Sequence, residues 1–450
     1  MSGVTDDGVE DIQRVERAIL ARAPEHDLVP SLDRIRLLLD LLGDPQRSFP
    51  AIHITGTNGK TSTARMADAI LRGLGWRTGR FTSPHLERIT ERITLHGEPI
   101  AAERFVATYD EIAPYVDLVD ARGGPRVSFF EVLVAMAYAA FADAPVDAAV
   151  VEVGMGGSWD ATNLIDAQVA VVTPVAVDHE RFLGPDPVTI AGEKAGIIKP
   201  GSVAVLAQQQ LDVAEVLLAR AAEVGATVAR EGLEFGVLAR SVAVGGQVLT
   251  VQGLRGVYDE LFLPLHGEHQ AHNAACAVAA VEAFLAPDRG ELDADALRGA
   301  LADVTSPGRM EVVRRSPTVV VDAAHNPAGA RATAAAIQDT FSFTRLVGVV
   351  AVAADKDVRG MLEAFEPLMA EIVVTEAASP RAMQVDELAA VAVEVFGADR
   401  VEVVRRLDDA VETAVELAEE EGHLGGAAVL VTGSVITVGQ ARTLLAGAPR

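Results

Sequence analysis

Residues 56–62 read Gly-Thr-Asn-Gly-Lys-Thr-Ser, directly after the β-branched run Ala51–Thr55 and directly before a helical pattern. Strand, glycine-rich turn, Lys-Thr and helix are the parts of a phosphate cradle. The glycines let backbone N–H groups approach an anion, the helix dipole favours it, and Lys60 supplies a cation. The Thr61 hydroxyl would be offered to a phosphate-bound Mg²⁺. The common form of this loop has four residues between its glycines, whereas only Thr57 and Asn58 intervene here, so the loop is shortened.

A second cluster closes the apolar run Ala148–Val153, where Glu152 precedes Gly154-Met155-Gly156-Gly157. A carboxylate at the end of a buried strand is costly unless it serves a metal or an ion pair, which makes Glu152 a candidate Mg²⁺ ligand. These glycines do not form a dinucleotide fingerprint, because Trp159 stands where the third glycine is required. A third cluster, Val177-Asp178-His179, follows the run Val169–Thr173. If the three runs are strands of one sheet, His179 emerges at the edge where Thr61 and Glu152 also emerge.

The elements needed to hold these groups are legible. Short β-branched runs alternate with helical patterns, which predicts βαβ units and mainly parallel sheets. Buried strands are expected at Ala51–Thr55, Ala148–Val153, Val169–Thr173 and Val203–Leu206, with helices at Ser62–Leu74, Phe129–Ala142 and Leu211–Val224. Glycines punctuate short alternating runs over about 233–265, which reads as antiparallel hairpins at the edge of the first domain. A second series of strands is expected at Thr318–Val321, Leu346–Val352, Ile372–Thr375, Val401–Val404 and Ala427–Thr432. The expected architecture is therefore α/β, with a phosphate-loop domain over 1–305 and a smaller Rossmann-like α/β domain over 306–450. Ligands belong at the carboxyl ends of the strands and in the cleft between the domains.

Composition bounds the function. The 450 residues carry 38 Lys+Arg against 64 Asp+Glu, a formal charge of −26, which argues against a nucleic-acid partner. Half of the residues are hydrophobic and 23% are charged, a globular balance. The one cysteine, Cys276, lies in an alanine-rich stretch and reads as a small buried hydrophobe. The start of the chain is acidic where a signal peptide is basic, and no apolar run reaches about 18 residues uninterrupted, so a soluble cytoplasmic protein with no membrane partner is expected.

Taken together, these motifs resemble the folylpolyglutamate synthase/dihydrofolate synthase family of Mur-type ligases. Gly56–Ser62 is similar to that family's phosphate loop, and Thr82-Ser83-Pro84-His85-Leu86 with Glu91-Arg92-Ile93 is similar to its Ser-Pro-His-Leu segment. Glu152–Gly157 with Trp159-Asp160-Ala161-Thr162-Asn163 continues the likeness, as do Asp178-His179 with Leu183-Gly184 and Glu193–Ile197. His269-Gln270 with Asn273, Pro307-Gly308-Arg309, Asp322–Pro327 and Asp355-Lys356-Asp357 carry it into the second domain. Two positions depart from the pattern: Ser158 stands where many members have Arg, and Thr432–Ile436 lacks the aromatic often found after Gly-Ser.

The resemblance implies roles. Thr57, Asn58, Gly59, Lys60, Thr61 and Ser62 would hold the ATP phosphates, Asn273 would lie at the adenine side, and Arg309, Asp322 and His325 would reach ATP from the linker and second domain. Two Mg²⁺ sites are implied, on Ser83, Glu152 and Thr61 and on Glu152, His179 and a carbamylated Lys194. An amine in a crowded cationic site has a lowered pKa and can take up CO₂ to become an anionic ligand. Ser128, Phe129, Phe130 and Glu131, with Trp159, Asp160 and Ala161, resemble segments that bind the pterin, where rings stack and a carboxylate accepts from ring N–H groups.

The implied reaction is ATP-dependent amide formation. A carboxylate takes the γ-phosphoryl group, and L-glutamate displaces phosphate from the acyl phosphate. The acceptor would be dihydropteroate, a reduced folate, or both, and a monomer is expected. A Mur ligase of peptidoglycan precursors is the nearest alternative, but it would place a nucleotide-sugar domain ahead of the loop, and only 55 residues precede Gly56. An ATP-hydrolysing regulatory switch is the alternative from another class.

Overall fold

The structure, a computed structural model, describes residues 6–24, 30–285, 290–419 and 426–446. The first sheet contains β1 (Ala51–Thr55), β2 (Thr78–Phe81), β3 (Ile93–Leu95), β4 (Glu98–Pro99), β5 (Ala148–Glu152), β6 (Val169–Val172), β7 (Val203–Leu206) and β8 (Thr227–Arg230). Their spatial order is β4-β3-β2-β5-β1-β6-β7-β8. The run from β2 to β8 is parallel, and β3 and β4 pair antiparallel at one edge.

Burial on both faces explains why these strands read as unbroken apolar runs. Ile52 and Ile54 of β1 and Ala148 and Val150 of β5 face the helices Lys60–Gly73 and Glu268–Phe284. The alternate residues Ala51, Ala149 and Val151 face Phe129–Asp143 and the N-terminal helices. Cys276 is buried in the first of these layers, as its alanine-rich setting predicts, and burial pushes its thiol pKa up.

The glycine-punctuated stretch forms β9 (Gly236–Ala243), β10 (Gly246–Gln252) and β11 (Val257–Leu263), a separate antiparallel sheet in the order β11-β10-β9. It does not extend the first sheet. Leu249, Val251, Leu261 and Leu263 pack it instead into the same apolar cluster as Glu268–Phe284. The last sheet is formed by β12 (Glu311–Arg315), β13 (Thr318–Asp322), β14 (Arg345–Val350), β15 (Glu371–Val374), β16 (Val401–Val403) and β17 (Ala427–Thr432), in the order β12-β13-β17-β14-β15-β16. Only β12 runs antiparallel.

The neighbours of β1 are β5 on one side and β6 on the other, so the chain leaves β1 at a topological switch point. The loops after β1, β5 and β6 therefore open into one crevice, and the loop after β13 of the last sheet reaches it. Among the described residues no helix is long and apolar enough to cross a membrane.

One joint between the edge of the first sheet and its covering helix is titratable. His272 Nδ1 lies 2.5 Å from the Glu231 carboxylate, and this hydrogen bond, with the charges of Glu231 and Glu268, raises the imidazole pKa above its ordinary value. The raised folded-state value means that the contribution is complete below the unfolded value of about 6.5 and is lost as pH rises through the folded value. With His272 partly exposed, screening limits the effect to about 0.5 kcal/mol. Urea midpoints at acidic and alkaline pH should show a drop in the wild type that His272→Gln lacks; equal drops in both would remove His272 as the cause.

Candidate active site

The phosphate-type loop is laced to the segment after β6. Thr57 N–H donates to the Pro174 carbonyl at 3.0 Å, the Thr57 hydroxyl donates to the Ala176 carbonyl at 2.8 Å, and Ala176 N–H donates back to that hydroxyl at 3.0 Å. Gly56 has φ 144°, and a Cβ there would lie 1.9 Å from the Thr173 hydroxyl oxygen. Gly59 begins the helix Lys60–Gly73 at φ 92°, and a Cβ there would lie 2.4 Å from Asn273 Oδ1. Asn273, buried on the helix Glu268–Phe284, thus closes over the loop. Lys60 curls back, its Nζ donating to the Gly56 and Thr57 carbonyls, both at 3.0 Å. Burial lowers the Lys60 pKa, opposed by Glu152 and Asp178 and helped by Arg309 and Lys356.

Glu152 ends β5 at 1% exposure. The Thr61 hydroxyl lies 2.8 and 3.0 Å from its two oxygens, and Ser83 N–H donates to it at 3.3 Å. Burial raises its pKa, while Lys60, Thr61, Ser83 and Arg309 pull it down. A buried carboxylate beside the Thr61 hydroxyl, with Ser83 at its second oxygen through the backbone N–H, is a hard oxygen donor set that fits Mg²⁺ completed by phosphate and water oxygens. Among the described residues no three His, Cys, Asp or Glu side chains converge as a metal cage.

Lys194 comes from the end of the helix Pro187–Lys194 and is 4% exposed. Its Nζ donates to the Gly56 carbonyl at 2.8 Å, the same oxygen that Lys60 uses. Burial, then the Lys60 charge, pushes the Lys194 pKa down to about 7. His179, in left-handed backbone at φ 53°, is pushed down to about 3, by burial first. Its charged neighbours are Asp178, Lys356, His325 and Lys60.

The last sheet delivers a second set. Asp322, at the end of β13, accepts from Met310 N–H at 2.9 Å, Ala324 N–H at 3.0 Å and the Thr333 hydroxyl at 2.7 Å, so it braces the turn that carries Arg309 and His325. The Arg309 guanidinium makes no hydrogen bond or ion pair among the described residues, and its charge acts on Glu152 and Lys60. Ser62 and Ser306 hydroxyls meet at 3.2 Å. His325 Nδ1 lies 3.0 Å from the Ala323 carbonyl, which can only accept, so this nitrogen donates; Nε2 lies 3.3 Å from Asp178 Oδ2.

The segments expected to hold a pterin lie close together but are already engaged. Ser128 and Glu131 form a capping box, and Arg34 Nε donates to Glu131 at 3.1 Å. Phe129 and Phe130 are each 6% exposed; Arg92 lies over the Phe129 ring at 5.0 Å, and Phe130 backs onto Gly154. Asp160 accepts from Met155 N–H at 2.9 Å and Thr162 N–H at 3.0 Å, with burial raising its pKa to about 6. Ala161 is buried, and Trp159 is half-buried against the cluster around Ile190 and Val213.

Two residues of this crevice had no assigned role in the sequence. Asn326 and Lys356 both meet Asp178, Asn326 at 3.2 Å. Burial would raise the Asp178 pKa, but the His325 hydrogen bond and the charges of His179, His325 and Lys356 hold it well below the carboxylate range. Both residues sit in segments that carried the resemblance, and only the folded chain shows that they meet an aspartate 148 and 178 positions earlier.

A phosphate-type loop and buried carboxylate on one α/β sheet, facing cations from a second, define an ATP-dependent ligase of Mur type. Residues 308–435 match the family model described as Mur ligase, glutamate ligase domain. The chain is 53% identical to the dihydrofolate synthase/folylpolyglutamate synthase of Mycobacterium tuberculosis, over 99% of this chain and 96% of that one. The chain belongs to the dihydrofolate synthase/folylpolyglutamate synthase family. A solved structure of the M. tuberculosis folylpolyglutamate synthase, complexed with ADP and AMPPCP, superposes with a TM-score of 0.93 at 53% identity, covering 98% of this chain and 100% of that one. The structure of Escherichia coli FolC in complex with DHPP and ADP superposes with a TM-score of 0.84 at 29% identity, covering 97% of each chain.

The space above Gly59 provides a test. Gly59→Ala forces a Cβ against Asn273 in backbone that disfavours one, so AMPPCP affinity measured by calorimetry should fall at least about tenfold, which is about 1.4 kcal/mol, with the circular dichroism spectrum retained. Unchanged affinity would take the loop out of the nucleotide site.

Proposed function

We propose that this protein joins L-glutamate to the carboxyl group of dihydropteroate, of a reduced folate, or of both, with ATP as co-substrate. The observation that carries the reading is the crevice in which Lys60, Thr61, Glu152, Lys194 and Arg309 surround the shortened loop. Relatives holding ADP and AMPPCP support ATP as the nucleotide, and the dihydrofolate synthase/folylpolyglutamate synthase activity named for the M. tuberculosis relative supports the acceptor class. We divide the chain into an ATP-binding unit over 1–305 and a second unit over 306–450 and read it as a cytoplasmic monomer.

In this reading the amides of Asn58, Gly59, Lys60 and Thr61, with the Ser62 hydroxyl, hold the β- and γ-phosphates, while the Thr57 hydroxyl, committed to Ala176, keeps the loop in place. Asn273 lies at the adenine side, and Arg309, Asp322 and His325 close on ATP from the second unit. The acceptor carboxylate attacks the γ-phosphorus and ADP leaves. The uncharged amine of glutamate then attacks the acyl carbon, phosphate leaves, and the nitrogen loses a proton. Lys60 and Arg309 offset charge on the transferred group, and positioning supplies the remainder. Glu152, Ser83 and Thr61 would hold one Mg²⁺, and Glu152, His179 and carbamylated Lys194 a second, supplying charge neutralisation at the phosphates. Lys194, with a pKa near 7, supplies the uncharged amine that carbamylation requires.

For the acceptor, the Phe129 and Trp159 rings and the Asp160 carboxylate line the pterin end, with Ser128, Phe130, Glu131 and Ala161 shaping the wall behind them. The capping box and the Arg34 pair make Glu131 a support for this wall, leaving Asp160 as the carboxylate for the pterin ring.

The deciding experiment supplies dihydropteroate and tetrahydrofolate side by side with glutamate and ATP, following ADP release and glutamylated product by mass spectrometry. Glutamate-dependent ADP release with product is expected. ADP release indifferent to glutamate, with no product, would leave a nucleotide switch instead. Lys60→Ala should lower kcat by about a hundred- to a thousandfold, as loss of one principal charge stabiliser does; near-normal turnover removes Lys60 from the phosphate site.

Asp160→Ala should lower dihydrofolate formation about tenfold or more, on the scale of one lost charged hydrogen bond, and polyglutamate extension less. Equal losses in the two assays would make Asp160 a loop brace rather than a pterin contact.

A further inference from the structure

The Asp178 carboxylate belongs to the first sheet's crevice, yet its partners come from the last sheet's loops. Lys356 Nζ pairs with Oδ1, Asn326 Nδ2 donates to Oδ2 at 3.2 Å, and His325 Nε2 lies 3.3 Å from Oδ2. On its own side it accepts from His179 N–H at 2.8 Å. Asn326 is itself shared. Its side chain caps the helix Pro327–Thr340, accepting from Gly329 N–H at 2.8 Å, and exchanges two hydrogen bonds of 3.1 Å with the Asn58 side chain of the phosphate loop. One carboxylate and one amide pair thus link the loops after β1 and β6 with the loops after β13 and β14.

Two further ion pairs between these parts, Arg240 with Asp339 and Arg442 with Glu87, are more open to water, the latter pair with side chains 27% and 29% exposed. Asp178 and Lys356 are each 7% exposed, so water and salt screen their attraction far less, and neither charge can be left alone without cost.

We propose that Asp178 is a positioning residue for the ligase reaction, registering Lys356, His325 and Asn326 of the second unit on the phosphate loop so that Arg309 meets the transferred phosphoryl group. The inference rests on the ligase reading above. Transfer between substrates held by two units depends on their alignment, and a displacement of about 1 Å costs on the order of a hundredfold in rate.

The test uses the full chain carrying Lys356→Met. It combines steady-state kinetics with hydrogen exchange of the amides at 57–60 and 328–330 in the presence of AMPPCP. The expected result is a kcat lower by about 10- to 100-fold, a KM for ATP within about threefold of the wild type, and faster exchange at both amide groups. Lys356→Arg, which keeps the cation, should recover most of the loss. A merely stabilising lysine would lower the melting temperature and leave kcat at low temperature unchanged. Wild-type kcat, or a kcat loss with wild-type exchange at both groups, overturns the proposal. Should Lys356→Met fail to fold, Asn326→Ser, which keeps the cap and loses the amide pair, is read by the same criteria. Absence of glutamate-dependent ADP release in the wild type would instead fail the ligase reading, and the exchange comparison would still judge the registration.

Discussion

A carboxylate buried at the end of a central strand must be compensated where it stands, and Glu152 imposes that condition on everything around it. Taking an ion out of water costs several kcal/mol even after relaxation, so its oxygens need donors and its charge needs cations. The Thr61 hydroxyl and the Ser83 amide meet the first need, and Lys60 and Arg309 meet the second. Each supplier constrains a different part of the chain. Thr61 requires the loop to turn into its helix at the shortened spacing, and Ser83 requires the segment after β2 to pass beside β5. Arg309 lies just ahead of β12, so the requirement extends to the last sheet.

The same condition reconciles a strongly acidic chain with the anions of the proposed reaction. A formal charge of −26 spread over the molecule would repel ATP and carboxylates at long range. Inside the crevice the balance is reversed, because Lys60, Lys194, Arg309 and Lys356 gather around two carboxylates, Glu152 and Asp178. Screening over about 8–10 Å at ordinary ionic strength weakens the surface charge, while the buried cations lie where water screens little.

What the sequence revealed and what it withheld divide along physical lines. β1, β7, β17 and the helix Leu211–Val224 were legible to the residue, and β5, β6, β13, β14, β15 and β16 to within two residues, chiefly because strands buried on both faces are apolar without interruption. β2, with Gly79 and Arg80 at its centre, and the short edge strands β3 and β4 carry no such signal; they hold their places through pairing with β5 and with one another. The phosphate-type loop was readable because its chemistry is local. The Asp178 contacts were not, since no local pattern tells an aspartate that its partners lie 147, 148 and 178 positions away. Glu131 shows the opposite case: a carboxylate suited to a ring N–H also suits a helix cap, and Ser128 three residues earlier favoured the cap.

The sharing of the Gly56 carbonyl by two lysines follows from how tightly the loop is folded. Lys60 and Lys194 both donate to that oxygen, at 3.0 and 2.8 Å, inside a region with little water. Two ammonium groups on one neutral acceptor repel each other, and burial penalises both, so the pair gains by discharging one member. Lys194 is the member whose pKa falls to about 7, while the charges of Glu152 and Asp178 draw Lys60 back toward its charged form. Carbamylation, as proposed for Lys194, would carry the same logic one step further. It would replace a repelled cation by an anion that attracts Lys60, and the two amines that compete for one carbonyl would become an ion pair beside the phosphate loop.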